Sequence, residues 1–369
     1  MRPGMQSLLD LLRGSLQRRA LDKSEFSALL EIAEQENVHP WAAELLRRMG
    51  FNPTPPQQER LDEIKRDSEL SAFVWTQTLK NVLAAFDSAG IAALALKGPC
   101  LAERLYGAAS LRTCYDLDLL VRRADFARSE QLLTDLGFVP NSTADDYHRP
   151  WSRNHLNLEM HHNVENPHAF EFDVDAAWDR AHPAEFHGAP AWLFSPADEL
   201  LYLCLHAVRH RFERLYLMVD LGFAFRRLPT ESVNKSAWRN PVLDNVFTLG
   251  WIMAARLDPQ LPSLASALVN AQEHARLERL ADRLWQDLML APSQVLDWNA
   301  QHNFYLEVET PGSNRMRRRW RHRRILLTRL IDADFAFAER FRLRRPWQVR
   351  LLRPIRLLIK TLSPSPRMR

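Results

Sequence analysis

Glycine is scarce in this 369-residue chain, at 11 residues, and cysteine scarcer still, at three. Few glycines exclude a collagen-like repeat. Cys100, Cys114 and Cys204 are odd in number and lack CxxC or CxxH spacing, which argues against a disulfide framework and against a zinc knuckle. Long apolar runs are missing too. The longest, Ile91 to Leu96 and Leu249 to Ala255, fall far short of the ~20 residues of a bilayer-spanning helix. Near the N-terminus Asp10, Arg13, Arg18 and Arg19 interrupt the leucines, so no apolar export segment forms and a cytoplasmic protein is expected.

Charge of one sign is also missing over most of the chain. The formal total is only +4, yet the stretch from Arg315 onward is strongly basic, at +15, which leaves the remainder at −11. A basic end on an acidic body suggests an anionic partner for the C-terminal region, or pairing within the chain.

Apolar residues recur mostly at three and four, so the chain reads as largely helical. Leu8, Leu11, Leu12 and Leu16 form one amphipathic face, and Phe26, Leu29, Leu30 and Ile32 another. Pro53 to Gln58 reads as a linker-like break before a long helix ending near Gly90. The texture then changes. Ile91 to Lys97, Tyr115 to Val121 and Asn154 to Met160 read as strands, with helices from Pro99 and over Ala124 to Leu136 between them. Strand, helix, strand, helix, strand is an α/β unit. Ser195-Pro196-Ala197-Asp198 opens a further helix, and helices continue to residue 345 with a loop near Thr310 to Asn314. The expected division is a helical region at 1–72, an α/β core at 73–190, a helical domain at 191–345 and a basic tail at 346–369.

Strand side chains alternate with period two, so Asp116 and Asp118 share a face. Two carboxylates that close repel by about 2 to 3 kcal/mol at an effective dielectric of ~20. A hard cation relieves this, and Mg²⁺, with Mn²⁺ as the alternative, suits one or two carboxylates plus substrate phosphates. On the third strand His155, Asn157 and Glu159 form the polar face, so Glu159 can complete a triad with Asp116 and Asp118. Three acids on adjacent strands can hold one or two divalent ions and orient a hydroxyl for attack at phosphorus. Gly98 at the turn before a helix lets backbone approach a phosphate. Lys97 and Arg112 are cations near it in sequence, each able to pair with phosphate or with an aspartate. His206 and His210, four apart on a helix, have metal-ligand spacing without an HExxH signature, and a packed histidine pair is the simpler reading. His161 and His162 can line the cleft.

The run Leu96-Lys97-Gly98, Leu105-Tyr106, Leu111-Arg112 and Tyr115-Asp116-Leu117-Asp118-Leu119-Leu120-Val121 resembles the uncharacterised bacterial nucleotidyltransferase family of the polymerase-beta-like superfamily. Leu158-Glu159-Met160-His161 is similar to its third-acid strand. Ser195 through Asp220, with His206, His210 and Asp220, is similar to its helical extension, and Arg353-Pro354 to its basic tail. The resemblance covers about residues 70–230. It implies an α/β (α+β) fold, a small mixed-sheet nucleotidyltransferase core flanked by helical regions. It also implies metal-dependent transfer of a nucleoside monophosphate from an NTP such as ATP to an acceptor hydroxyl. Asp116, Asp118 and Glu159 would be at the metals and Gly98 at the phosphates. Two departures stand out: Gly98-Pro99 replaces the usual Gly-Ser, and the third acid is Glu where Asp is commoner. The first favours an alternative from another class, a catalytically silent nucleotide-binding scaffold with a basic docking tail.

Overall fold

The computed structural model describes residues 2–362 other than 17–20, 142–146, 166–169, 231–232, 234–237, 239, 262, 265–267, 291–297, 310–331 and 344. Three helices lead: α1 (Met5–Leu12), α2 (Lys23–Gln35) and α3 (His39–Arg48). Asp22 and Glu25 cap α2 reciprocally, each side chain accepting from the other's backbone N–H. The long α4 (Pro55–Ser88) follows. The backbone N–H of Thr54 donates to Gln57 Oε1 at 2.8 Å. Four of the six residues of the segment read as a linker thus form the first turn of α4, because proline is favourable there.

The central sheet is larger than the sequence suggested. In chain order it contains β1 (Ala93–Ala95), then α5 (Pro99–Tyr106), β2 (Leu117–Val121), α6 (Phe126–Asp135), β3 (Val139–Pro140), β4 (His148–Arg153) and β5 (Leu156–His161). After α7 (Val174–Arg180) come β6 (His182–Phe186) and β7 (Ala189–Leu193). The spatial order is β3-β4-β5-β2-β1-β7-β6. β1 runs antiparallel to β2 and parallel to β7, and β2 runs parallel to β5. The expected strand from Asn154 is shorter at its start: Asn154, with φ 56°, and exposed His155 form the turn of the β4–β5 hairpin. Asn readily adopts this left-handed conformation, which ends one strand and starts the next.

Alternation along the strands divides the core in two. Ala93, Ala95, Leu117, Leu119, Val121, Leu158 and Met160 pack against Leu79, Val82, Leu83 and Phe86 of α4 and Leu133 of α6. Leu94, Leu96 and Leu120 face the other way, into a cluster shared with α1 to α3 and with the helices after the sheet. Those are α8 (Pro196–Arg209), α9 (Leu215–Arg227), α10 (Pro241–Leu257), α11 (Ala271–Leu290) and α12 (Trp298–Val308). Asp118 lies two residues before Leu120 and so points toward the helical side.

Two C-terminal helices, α13 (Asp332–Glu339) and α14 (Pro346–Leu362), complete the described chain. Arg353 and Arg356 of α14 both reach Asp334, at 3.2 and 2.6 Å, so part of the basic tail is paired within the chain. The run Arg317 to Arg324 and the loop at Thr310 to Asn314 lie outside the described residues. Among the described residues no helix is long and apolar enough to cross a membrane.

Candidate active site

Asp118 is the centre of the constellation. Its register partner across the parallel β2–β5 pair is Glu159, and Leu120 pairs with His161. Paired residues project to the same face, so Asp118, Glu159 and His161 converge on the helical side of the sheet. His161 Nε2 lies 3.2 Å from Asp118 Oδ1 and 3.4 Å from Glu159 Oε2. From β4, His148 stacks on His161 with ring centroids 5.2 Å apart and stands 4.0 Å from Glu159 Oε2. The Asp118 side chain is 1% exposed and that of Glu159 28%, so one carboxylate is buried at the centre of the cluster while the other is reached by solvent.

Lys97, just past β1, places Nζ 3.0 Å from Asp118 Oδ2. Burial opposes the Lys97 charge, but the Asp118 carboxylate outweighs it and the pKa is raised. Burial likewise opposes ionisation of Asp118, and Lys97 with His161 reverses this, holding its carboxyl well below the usual range. Glu159 follows the same logic: burial resists its charge, the hydrogen bond from His161 wins, and the pKa falls to about 2. The His161 pKa is raised in turn, because its two carboxylate partners outweigh burial. Asp116, just before β2, behaves oppositely. The Asp118 charge and then burial push it up to about 6.

These residues fit a hard divalent cation. Ligand atoms of Asp118, Glu159 and His161 all lie within 4.8 Å of one another, and Asp116 is close enough to feel both acids. Carboxylate oxygens suit Mg²⁺, and an added imidazole nitrogen extends the set toward Mn²⁺. His161 was weighed from the sequence only as a cleft residue. Its signal was the period of two that puts it on the Glu159 face.

The remaining expected residues fall at three distinct places. Gly98 has φ +73° and ψ −148°, a conformation essentially confined to glycine, and a Cβ there would meet Leu117 Cδ2 at 3.3 Å. Its identity is thereby explained by the turn from β1 into α5. Arg112 is turned away from the acids: its Nε and Nη2 donate to Asp220 Oδ1 and Oδ2 at 2.9 and 2.8 Å, and Tyr106 Oη donates to the same carboxylate at 2.6 Å. This buried triad ties α5 and the segment before β2 to α9. His206 of α8 and His210, the residue that caps its end, pack edge to face at 4.7 Å. Burial, then the Lys97 charge, pushes the His206 pKa well below its ordinary value. Tyr202 and Arg209 of α8 also lie within electrostatic reach of Lys97, so α8 packs close to the acidic cluster.

Residues 22–250 match a family model described as uncharacterised nucleotidyltransferase. Three solved structures are similar. The antibiotic-resistance factor ANT(2'')-Ia is 14% identical, with 59% of this chain and 96% of that one covered, at a TM-score of 0.31. An antigenic nucleotidyltransferase-like protein from Paracoccidioides brasiliensis is 19% identical, covering 54% and 95%, at 0.39. JHP933 from Helicobacter pylori is 12% identical, covering 59% and 93%, at 0.28. A comparison with curated proteins gives no match.

Proposed function

The chain belongs to the uncharacterised nucleotidyltransferase family, and on that premise we propose that it transfers a nucleoside monophosphate from an NTP to an acceptor hydroxyl at the Asp116, Asp118 and Glu159 cluster. The observation that carries this reading is the Asp118–Glu159 register, which brings two acids from adjacent strands to one face beside Lys97 and His161. Asp116, Asp118 and Glu159 would hold Mg²⁺, or Mn²⁺, which when bound neutralises phosphate charge and aligns an in-line displacement. Glu159, half-buried, would orient the acceptor hydroxyl, whose proton passes to solvent. The acceptor oxygen forms a bond to the α-phosphorus as the bond to the β-phosphate oxygen breaks, and pyrophosphate leaves with the electron pair. Gly98, Lys97 and the start of α5 position the phosphates. Arg112 braces the segment before β2 through Asp220. In this reading residues 73–190 form the transfer unit and residues 191–345 the opposing wall. The free thiols of Cys100, Cys114 and Cys204 support a reducing, cytoplasmic setting.

The test is incubation of the full chain with Mg²⁺, α-phosphate-labelled NTPs and cell extract, following labelled product and pyrophosphate. Wild type should label an acceptor, and Glu159→Gln or Asp116→Asn should not. Pyrophosphate release undiminished in both variants would refute the assignment. A second reading, a catalytically silent nucleotide binder, is favoured by Pro99, which offers no N–H to a phosphate. It predicts Mg²⁺-dependent NTP binding with no consumption.

A further inference from the structure

Both carboxylate oxygens of Asp118 are held by the chain itself, Oδ2 by Lys97 at 3.0 Å and Oδ1 by His161 at 3.2 Å. A divalent cation reaching Asp118 therefore meets the like charge of the Lys97 ammonium at Oδ2 and the His161 ring at Oδ1. The two are not equivalent. His161 brings an imidazole nitrogen, a ligand type, that already lies within 4.8 Å of carboxylate oxygens of Asp118 and Glu159. An ammonium has three donors and no acceptor, so Lys97 can only leave.

The choice of residue points the same way. Of 49 basic residues only six are lysines, at 23, 65, 80, 97, 235 and 360, and the rest are arginines. Among the described residues three buried carboxylates are pinned by an arginine fork. Arg112 grips Asp220 at 2.9 and 2.8 Å, Arg104 grips Glu199 at 2.7 and 2.5 Å, and Arg180 grips Asp198 at 2.8 and 2.6 Å. Asp118 instead faces a point charge on a flexible stem, which can let go without breaking a bidentate geometry.

We propose that Lys97 is a releasable counter-ion. It occupies Asp118 in the ion-free protein, gives up Oδ2 when a divalent cation binds, and passes its charge to the substrate phosphates beside Gly98 and the start of α5. This rests on the reading of Asp118 as a metal ligand. Cation and nucleotide then assist each other, because a displaced, buried ammonium needs the phosphate as its new partner.

The experiment is a Mn²⁺ titration of the full chain followed by electron paramagnetic resonance of the free ion, with and without a non-hydrolysable NTP. In wild type the nucleotide should tighten Mn²⁺ binding about tenfold or more. Lys97→Met should bind Mn²⁺ alone about tenfold tighter than wild type and lose the nucleotide effect. Lys97→Arg should bind it more weakly. A second measurement needs no variant: acylation of wild-type lysines read by mass spectrometry. Lys97 labelling should rise with Mn²⁺ alone and fall again on adding nucleotide, while Lys65 and Lys80 stay constant. Mn²⁺ affinity unchanged or weakened in folded Lys97→Met, or Lys97 labelling indifferent to Mn²⁺, overturns the proposal. Mn²⁺ binding that Glu159→Gln leaves unaltered overturns the metal reading itself, and this proposal with it. Binding that depends on Glu159 while Lys97 does not respond overturns this proposal alone.

Discussion

Neighbouring aspartates in the cluster should respond to the same substitution with opposite changes in stability. Asp118 is buried against Lys97 and His161. Asp118→Asn leaves two buried donors without their counter-charge, and breaking such a pair from one side typically costs about 3 to 5 kcal/mol. Asp116 has the reverse problem, since Asp118 and burial push its pKa from 3.8 to about 6. At about 1.4 kcal/mol per tenfold change, that displacement is a folding penalty of about 2 to 3 kcal/mol. The sign follows from where the proton sits. Below about pH 4 folded and unfolded chains both keep the acid protonated, and Asp116→Asn should change little. Between about pH 4 and 6 the unfolded chain ionises while the folded one resists, so wild-type stability falls as pH rises. Above pH 6 the penalty is complete. The assay is urea unfolding in EDTA from pH 4 to 8. Asp116→Asn should be stabilised by about 2 to 3 kcal/mol at pH 8 and by almost nothing at pH 4, yet be inactive in transfer. A destabilised Asp116→Asn, or a gain that does not vary with pH, would refute the electrostatic argument.

Arg112→Met should cost about 3 to 5 kcal/mol by stranding buried Asp220, and Arg112→Met with Asp220→Leu should recover much of that in urea unfolding. The double variant should retain NTP affinity, and a fold-competent double variant that has lost it would make Arg112 a phosphate ligand. Gly98→Ala should destabilise by about 1 to 3 kcal/mol, because alanine resists a φ of +73° and its methyl meets Leu117; unchanged stability would contradict the turn geometry. Burial and the charges of Lys97, His210, Arg209 and Arg112 keep His206 neutral. As pH falls below about 6.5 the unfolded chain therefore takes up a proton that the folded chain refuses, and stability drops. His206→Gln should flatten the wild-type slope between pH 6.5 and 5, and equal slopes would show that His206 is not held neutral.

The part of the site carried by strand periodicity was legible in the sequence. Alternation singled out Glu159, and the parallel β2–β5 register brings Asp118 and Glu159 opposite each other, while the expected strand from Tyr115 starts only at Leu117 and leaves Asp116 just before it. His161 obeys the same period and was readable on that ground. What lay beyond reach was partnership across long separations. Lys97 and Arg112 are both cations near Gly98, and only tertiary packing decides that one meets Asp118 and the other Asp220, 108 residues away. The β4–β5 hairpin is hidden in the sequence because Asn154-His155 fits the start of a strand, and only the left-handed conformation of Asn154 makes it a turn. The β6–β7 hairpin turns at His187-Gly188, with φ 51° and 83°, between strands too short and proline-broken to show alternation.

The most direct measurement is the anomalous scattering of crystals grown with Mn²⁺ and a non-hydrolysable NTP. The account predicts a Mn²⁺ peak bounded by Asp116, Asp118 and Glu159, with Lys97 Nζ moved off Asp118 onto a phosphate oxygen. A peak elsewhere, with Lys97 still seated on Asp118 beside a bound nucleotide, would contradict it.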